Sequence, residues 1–418
     1  MLSSQALFLN SLFSVGARSV SGLARVAVLL GIAKKYGPAE FGEVALAFGV
    51  MEIFRTLSEF GIDTISIRRF SQAPKEQGPA MLEKLFGAKM LLAAVSYCLC
   101  VASLVVITRS SRPVLLGAAV GLSLFTANML GTFCSYLQSR FAMRQFLATT
   151  MCAVALYVIS SVFAINARMA LPIVLIMLPG AEAVNALLLW RRDFASLTIR
   201  FDRKFTWDLV LESLPVGIMA GLIILYFRLD NIIVFYFAGE KALGLYAAAY
   251  RLLEPGLMIP HAFSLTLYAL LARRRFQRTL AIVLRTMWPS YLAIACGVIA
   301  CFVVGSRVLA LLSPMYLGSY PALRVLAVAV LIRTANMSFT AVLSSWAQYR
   351  RLALITGTNL GINIVLALAL VPHFGIVGAA CAAVGTEAWN FMAQLWSLMR
   401  LAPVEVAATP TTLSVQYE

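Results

Sequence analysis

Charge is scarce in this chain. Of its 418 residues only 12% are Asp, Glu, Lys or Arg, the 18 acidic ones are outnumbered by 34 basic ones, and there are two histidines, His261 and His373. A soluble domain carries about twice that charged share and well below the 61% apolar content found here, so a solvated globular enzyme is excluded. Two histidines far apart in sequence form no histidine-based metal motif and count against such a site. The seven cysteines, Cys98, Cys100, Cys134, Cys152, Cys296, Cys301 and Cys381, all fall inside apolar runs and lack the spacing of a zinc site or a disulfide framework. They read as small core or lipid-facing residues. Long polar stretches are missing too. No loop is large enough to house a soluble catalytic domain, and the longest outer one, "GSRVLALLSPMYLGSY" at 305–320, is apolar with a single arginine.

Hydrophobic runs take the place of all these. The mean hydropathy is +0.87, and runs of about 20 apolar residues, each able to cross a hydrocarbon core about 30 Å thick, recur along the whole length. The first, 6–33, is too long for a signal sequence and is interrupted by Arg18 and Arg25, so it reads as a retained span. Turn residues, charge clusters and run lengths predict twelve spans, at 6–33, 41–63, 85–107, 113–137, 147–167, 170–190, 209–237, 244–272, 281–304, 320–347, 353–372 and 375–399. The expected fold class is an all-α polytopic membrane protein. Eighteen Lys and Arg fall on the amino-terminal side of these spans, among them Arg68, Arg69, Lys75, Lys84, Arg140, Arg144, Arg191, Arg192 and the cluster Arg273, Arg274, Arg275 and Arg278. Seven fall on the other side, including Lys34, Lys35, Arg109 and Arg112. Such asymmetry favours both termini in the cytoplasm. Basic loops beside anionic lipid also explain much of the +16 net charge without nucleic acid.

The remaining nine basic residues lie within or at the edges of spans. Lys89, Arg285 and Arg324 are near span ends, where long side chains snorkel to the interface. Arg18, Arg25, Arg55, Arg228, Arg251 and Arg333 need another reason, because an arginine at the centre of a membrane helix costs about 2.5–3.5 kcal/mol. Arg228 belongs to "YFRLDN", 226–231, which also places Asp230 in an apolar run. Residues two apart on a helix do not face each other, so Arg228 and Asp230 are expected to meet different neighbours.

The two halves of the chain resemble one another. "GPAEFGEVALAFGVME", 37–52, aligns without gaps on "GEKALGLYAAAYRLLE", 239–254; both end on an acid, Glu52 and Glu254. "ANM" at 127–129 returns at 335–337, and "GAEAVN" at 180–185 returns as "GTEAWN" at 385–390. The shared glycines and alanines suit close helix approach in a bilayer. Glu182 and Glu387, each with an asparagine one turn on, read as hydrogen-bonding centres inside each bundle. Arg228 aligns one residue past Arg25, so each half contributes an arginine at nearly the same depth, whereas Asp230 has no counterpart. Two six-span halves in the same orientation form a transporter's architecture, with a pseudo-twofold axis along the membrane normal. The expected division is a first bundle over 1–200, a second over 201–400 and a disordered cytoplasmic tail over 401–418.

"LGIAKKYGPAEFGEVALAFGVMEIFRTLSEFGIDTISIRRFS", "YFRLDNIIVFYFAGEKALGLYAAAYRLLE" and "LVPHFGIVGAACAAVGTEAWN" resemble segments of the polysaccharide transporter family, the Wzx-type lipid-linked oligosaccharide flippases. That superfamily also holds drug and toxin extrusion antiporters and peptidoglycan-precursor flippases. The resemblance implies a V-shaped fold of the MATE and MurJ kind, about twelve transmembrane helices in two homologous six-helix bundles, in a bacterial cytoplasmic (inner) membrane. It implies a flippase rather than an enzyme. The substrate would be an anionic polyprenyl-diphosphate-linked glycan, the repeat unit of an O-antigen, capsule or exopolysaccharide, and the further partners a polysaccharide polymerase and a chain-length regulator. The first, second, seventh and eighth spans would line the path. Arg18, Arg25, Arg55, Arg228 and Arg251 are then the expected diphosphate ligands, since the guanidinium fork stays charged and binds phosphate oxygens in pairs. Asp230, Glu52 and Glu254 are the expected charge partners or sites for a coupling Na+ or H+, and no other cofactor is expected. Arg333 falls outside the set and reads as structural or peripheral. A small-molecule antiporter of the same fold and a polysaccharide polymerase or ligase are the alternatives; the short apolar outer loops count against the last.

Overall fold

The computed structural model describes residues 4–108, 110–273 and 279–407, and within them every element is helical. Arg109, Arg274, Arg275 and Arg278 of the basic-loop pattern, and the tail from residue 408 on, lie outside the described residues. Among the described residues nine helical runs are long and apolar enough to cross a membrane, including Gly78–Thr108, Met143–Asn166 and Leu171–Asp193. Their outward faces carry large apolar side chains such as Val106, Ile159, Phe163, Val303 and Leu354, each about two-thirds exposed or more. Apolar surface on that scale needs lipid rather than water against it.

Two compact units divide the chain. The first comprises residues 1–251 together with 310–318, and the second residues 252–309 and 319–418. In the first unit the helices are α1 (Ser4–Tyr36), α2 (Pro38–Glu59), α3 (Ile62–Gln72), α4 (Gly78–Thr108), α5 (Ser111–Gly121), α6 (Ser123–Ser139), α7 (Met143–Asn166), α8 (Leu171–Asp193) and nearly all of α9 (Arg203–Leu253). Helix α1 packs on α7, α2 on α4 and α5, and α6 on α4 and α8. The core at one end is aromatic. Phe133 stacks on Phe194 at 4.5 Å between ring centroids and meets Trp190 edge-on, while Phe70 sits edge-on to Tyr136. Such pairs add about 0.5–1.5 kcal/mol each beyond the area they bury.

The repeat is visible in the backbone. Gly37 precedes α2 at φ 89, ψ 175, and its equivalent Gly239 interrupts α9 at φ 83, ψ 177. That conformation is open to glycine almost alone, so the same corner is built twice from the same residue. Five residues on, Gly42 packs against the carbonyl of Glu240 and Gly244 against the carbonyl of Pro38. Glu240 and Pro38 are themselves equivalent positions, so the two contacts are images of one another. A Cβ on either glycine would lie inside the opposing backbone. The first turn of α2 and the second stretch of α9 therefore cross at backbone contact, as small residues permit in membrane packing.

Further along, α9 is tied to the rest of the first unit by charge. Arg68 and Arg69 on α3 both meet Glu212, with Arg69 Nε 2.8 Å from Oε2. In the segment joining α8 to α9, Thr198 donates its backbone N–H and its hydroxyl to Glu83 Oε1 of α4 at 3.0 and 2.7 Å. Lys84 donates to Asp202 at 2.7 Å and holds that carboxyl below its ordinary range. The short segment Ala310–Gly318 also packs within this unit. Tyr316 there is fully buried, donates its hydroxyl to Ala33 O at 3.0 Å and sits edge-on to Phe41.

The second unit holds α10 (Met258–Arg273), most of α11 (Thr279–Leu312), α12 (Tyr320–Ser345) and α13 (Tyr349–Ala407), with α12 packed on both α10 and α13. Gly375, at φ 54, breaks α13 into two helices. The second of these runs on to Ala407, past the expected start of the tail at 401. Arg324, expected to snorkel, lays its guanidinium 4.8 Å from the centroid of Tyr320. Gly42→Ala and Gly244→Ala should each lower the thermal unfolding temperature of the detergent-solubilised protein, an overpacking cost of about 1–3 kcal/mol. Gly180→Ala, where a Cβ meets nothing within 4 Å, should leave it unchanged.

Candidate functional site: an arginine and carboxylate cluster in the first unit

The glycine crossing sets the register of α9 against α2. Two turns beyond Gly42, Gly49 faces Asn231, and a Cβ there would come within 3.1 Å of its side-chain nitrogen. Glu52 lies one turn past Gly49 on α2, and Arg228 three residues before Asn231 on α9, so the fit of Asn231 over Gly49 brings acid and base together. Arg228 Nε forms an ion pair with Glu52 Oε2, both side chains being 13% exposed. From α1, Arg25 Nη1 approaches the other oxygen, Oε1, at 3.7 Å. The Nε of Arg25 is buried and has no hydrogen-bond partner. Arg251, buried in the last turn of α9, and Arg55, one turn beyond Glu52, add their positive fields at the same carboxylate. Four of the five expected arginines thus surround Glu52.

A cavity of about 450 Å³ opens beside this cluster among α1, α2, α3, α6, α7 and α8. Arg18, Arg25 and Arg55 line it, and so do Glu59, Asp63 and Glu182. Arg55 bridges two of the acids, with Nε 3.2 Å from Glu59 and Nη1 3.8 Å from Glu182. Thr126 of α6 donates its hydroxyl to the other oxygen of Glu182 at 2.6 Å. One turn along, Asn185 donates to Thr150 at 3.2 Å. The cavity wall is therefore balanced in charge, and its three acids come from three different helices.

Asp230 lies two residues beyond Arg228 on α9. It is buried, accepts the hydroxyl of Tyr246 at 2.6 Å and accepts the backbone N–H of Asn231. As expected for residues two apart, Arg228 and Asp230 face different neighbours. Glu254 begins a short 3-10 turn, Glu254–Leu257, in the second unit, whereas Glu52 lies in mid-helix. In the second unit Glu387, the equivalent of Glu182, takes Arg333 Nε at 2.6 Å and Asn336 Nδ2 at 2.7 Å. Both repeats thus hold a glutamate, part-buried in the first and buried in the second, with an arginine and a neutral donor from another helix. Among the described residues no group of three His, Cys, Asp or Glu is placed to hold a metal ion.

One residue departs from expectation. Lys89 does not snorkel: it is fully buried and pairs with Asp63 on the cavity wall. The reason is helix length. With a span expected at 85–107, Lys89 lies one turn from the end, but α4 begins at Gly78 and so places Lys89 about three turns inside the helix. Gly131 makes room for the pair, since a Cβ on it would strike Lys89 Nζ and Asp63. No periodicity in the sequence points to a pairing between residues 63 and 89; a correct start for α4 would have ruled out the snorkel.

The sequence profile of the Polysacc_synt family, described as polysaccharide biosynthesis protein, matches residues 10–268. The chain belongs to that family. No curated protein matches this family member. Among solved structures, an inward-facing multidrug resistance MATE transporter of the MOP superfamily superposes with a TM-score of 0.74 at 15% identity, covering 93% of this chain and 96% of the other. The lipid II flippase MurJ, in an inward closed conformation, gives 0.75 at 12% identity, covering 93% and 87%. A MOP superfamily transporter from Pyrococcus furiosus gives 0.62 at 14% identity, covering 96% of each chain. These likenesses give the family member the MATE and MurJ fold. Its described elements are all helical, and their long apolar runs make it a multi-pass membrane protein.

Breaking a buried ion pair by removing one partner costs about 3–5 kcal/mol, because the other charge is left uncompensated. Lys89→Met should accordingly destabilise the protein strongly in thermal unfolding, and Lys89→Met combined with Asp63→Asn should recover most of the loss.

Proposed function

We propose that this chain flips an anionic polyprenyl-diphosphate-linked oligosaccharide, the repeat unit of an O-antigen, capsule or exopolysaccharide, from the inner to the outer leaflet of the bacterial cytoplasmic membrane. The observation that carries the reading is the convergence of Arg25, Arg55, Arg228 and Arg251 on one region of the first unit, from helices of both repeats. Arg25 and Arg228 share the one carboxylate of Glu52, and the fields of Arg55 and Arg251 add to theirs, so the site is positive enough to draw a diphosphate. Arg18 extends the row along the cavity wall. Family membership supports a polysaccharide pathway, and a fold shared with a lipid II flippase supports a lipid-linked cargo. Breaks at Gly239 and Gly375 divide two of the nine candidate spans, and α2 adds another, which supports the twelve-span reading. An even number of spans fits both termini in the cytoplasm. Transport proceeds by alternating access, with the arginines gripping the diphosphate in the state open to the cytoplasm and relaxing that grip on the other side.

A second reading, a small-molecule antiporter, draws on one observation: the cavity in the first unit carries as many acids as arginines, and Glu59, Asp63 and Glu182 suit a cation or proton. In the flippase reading the same acids, together with Glu52, Glu254 or Asp230, supply sites for coupling Na+ or H+. Deleting the gene separates the two. A flippase leaves a polyprenyl-diphosphate-linked glycan accumulated on the cytoplasmic leaflet, and an antiporter does not.

Charge-assisted hydrogen bonds contribute about 1.5–3 kcal/mol, so Arg25→Ala, Arg55→Ala or Arg228→Ala should each reduce glycan export in the deletion strain on the order of ten- to a hundredfold. Arg228→Lys should recover part of that export, because a lysine keeps the charge but not the fork. Full export by the alanine variants would refute the site.

A further inference from the structure

We propose that Glu52 is a resident counter-ion, a carboxylate of the protein itself that fills the arginine site when no substrate is present and that the diphosphate must displace on loading. The inference rests on the reading that these arginines hold a diphosphate. Its physical basis is how incompletely Glu52 satisfies them. One oxygen is committed to Arg228. The other stands 3.7 Å from Arg25, beyond the hydrogen-bonding distance of about 3.2 Å. The buried Nε of Arg25 has no partner at all. A carboxylate has two oxygens and one negative charge, whereas a diphosphate bonded to lipid and sugar offers four non-bridging oxygens and two negative charges, so the larger anion can complete what the smaller one leaves unfinished.

Some anion is required there even in the empty protein. Arginines crowded into a partly buried site repel one another, and removing a carboxylate that Arg25 and Arg228 share leaves part of that charge uncompensated. Glu52 keeps the unloaded state stable, and for the same reason it competes with the substrate. The displaced carboxylate has a place to go. Arg55 lies three residues along on α2, on the same face of the helix, and already contributes to the field at Glu52. Loading is then an exchange in which the diphosphate takes Arg25 and Arg228 and Glu52 turns towards Arg55. Release is the reverse, with Glu52 returning to expel the anion. A site with a built-in competitor binds more weakly than its arginines alone would, which suits a carrier that must let go.

The test is calorimetric titration of inorganic pyrophosphate into the purified full-length protein in lipid nanodiscs, in parallel with glycan export in cells. Glu52→Gln should bind pyrophosphate on the order of tenfold more tightly than wild type, and should export more slowly because release is impaired. Arg228→Ala should weaken pyrophosphate binding in both backgrounds. Should Glu52→Gln fail to fold, Glu52→Asp keeps the charge but holds Arg228 less well, and should tighten binding by a smaller factor. A loss that is merely structural would weaken binding, not strengthen it. If wild type binds pyrophosphate in an Arg228-dependent way and neither Glu52 variant binds it more tightly, the counter-ion role is overturned and the diphosphate site stands. If wild type shows no Arg228-dependent binding, the diphosphate site itself is wrong.

Discussion

The backbone crossing of Gly42 and Gly244 is the constraint on which the rest of the first unit depends. Two helices in a bilayer gain nothing from hiding apolar surface from water, so they are held by how closely they pack. Here the packing is as close as peptide backbones allow, and it occurs at positions related by the repeat. Once α2 and α9 are locked at that point, Asn231 falls over Gly49 and Arg228 reaches Glu52. A side chain at the crossing would separate the helices, and the charge cluster two to three turns away would come apart with them.

Charge in this chain is placed under a second constraint, the low dielectric of a membrane protein's interior. Most of the buried charges described here have an opposite partner. Lys89 has Asp63, Arg55 has Glu59 and Glu182, Arg333 has Glu387, and the arginines around Glu52 share that carboxylate. The pairs differ in how complete they are. Glu387 is saturated by two side-chain donors and almost wholly buried, as befits a fixed strut. Glu52 is the reverse, one acid shared among several bases with a donor left over. The two carboxylates are told apart by their stoichiometry more than by their depth.

Much of this could be read from the sequence, and the reasons are specific. Hydrophobic runs revealed the membrane class because a span needs length and apolarity and little else. The repeat emerged because glycine cannot be exchanged at a φ of 83–89° or at a backbone crossing, so Gly37, Gly42, Gly239 and Gly244 keep their spacing. The unexcused arginines were visible because each is costly in a membrane helix. What stayed hidden was pairing. Nothing local links Lys89 to Asp63 or Arg228 to Glu52, since helix packing joins residues that are distant along the chain and the membrane helices carry no pattern that names their partners. Boundaries failed in one instructive place, where an interfacial start brought α4 back to Gly78 and turned an apparent surface lysine into an interior one.

The seating of Ala310–Gly318 within the first unit has a consequence for how the protein is made. Tyr316 is wholly buried there and bonded to Ala33, so residues at the two ends of this unit's sequence meet only after about three-quarters of the chain has been synthesised. The amino-terminal helices can insert and pair as they emerge, but the pocket that takes Tyr316 stays unfilled until the ribosome has passed it. The first unit is thus completed from within the second half of the gene, and the order of translation obliges most of the second repeat's path through the membrane to be laid down before the first unit is whole.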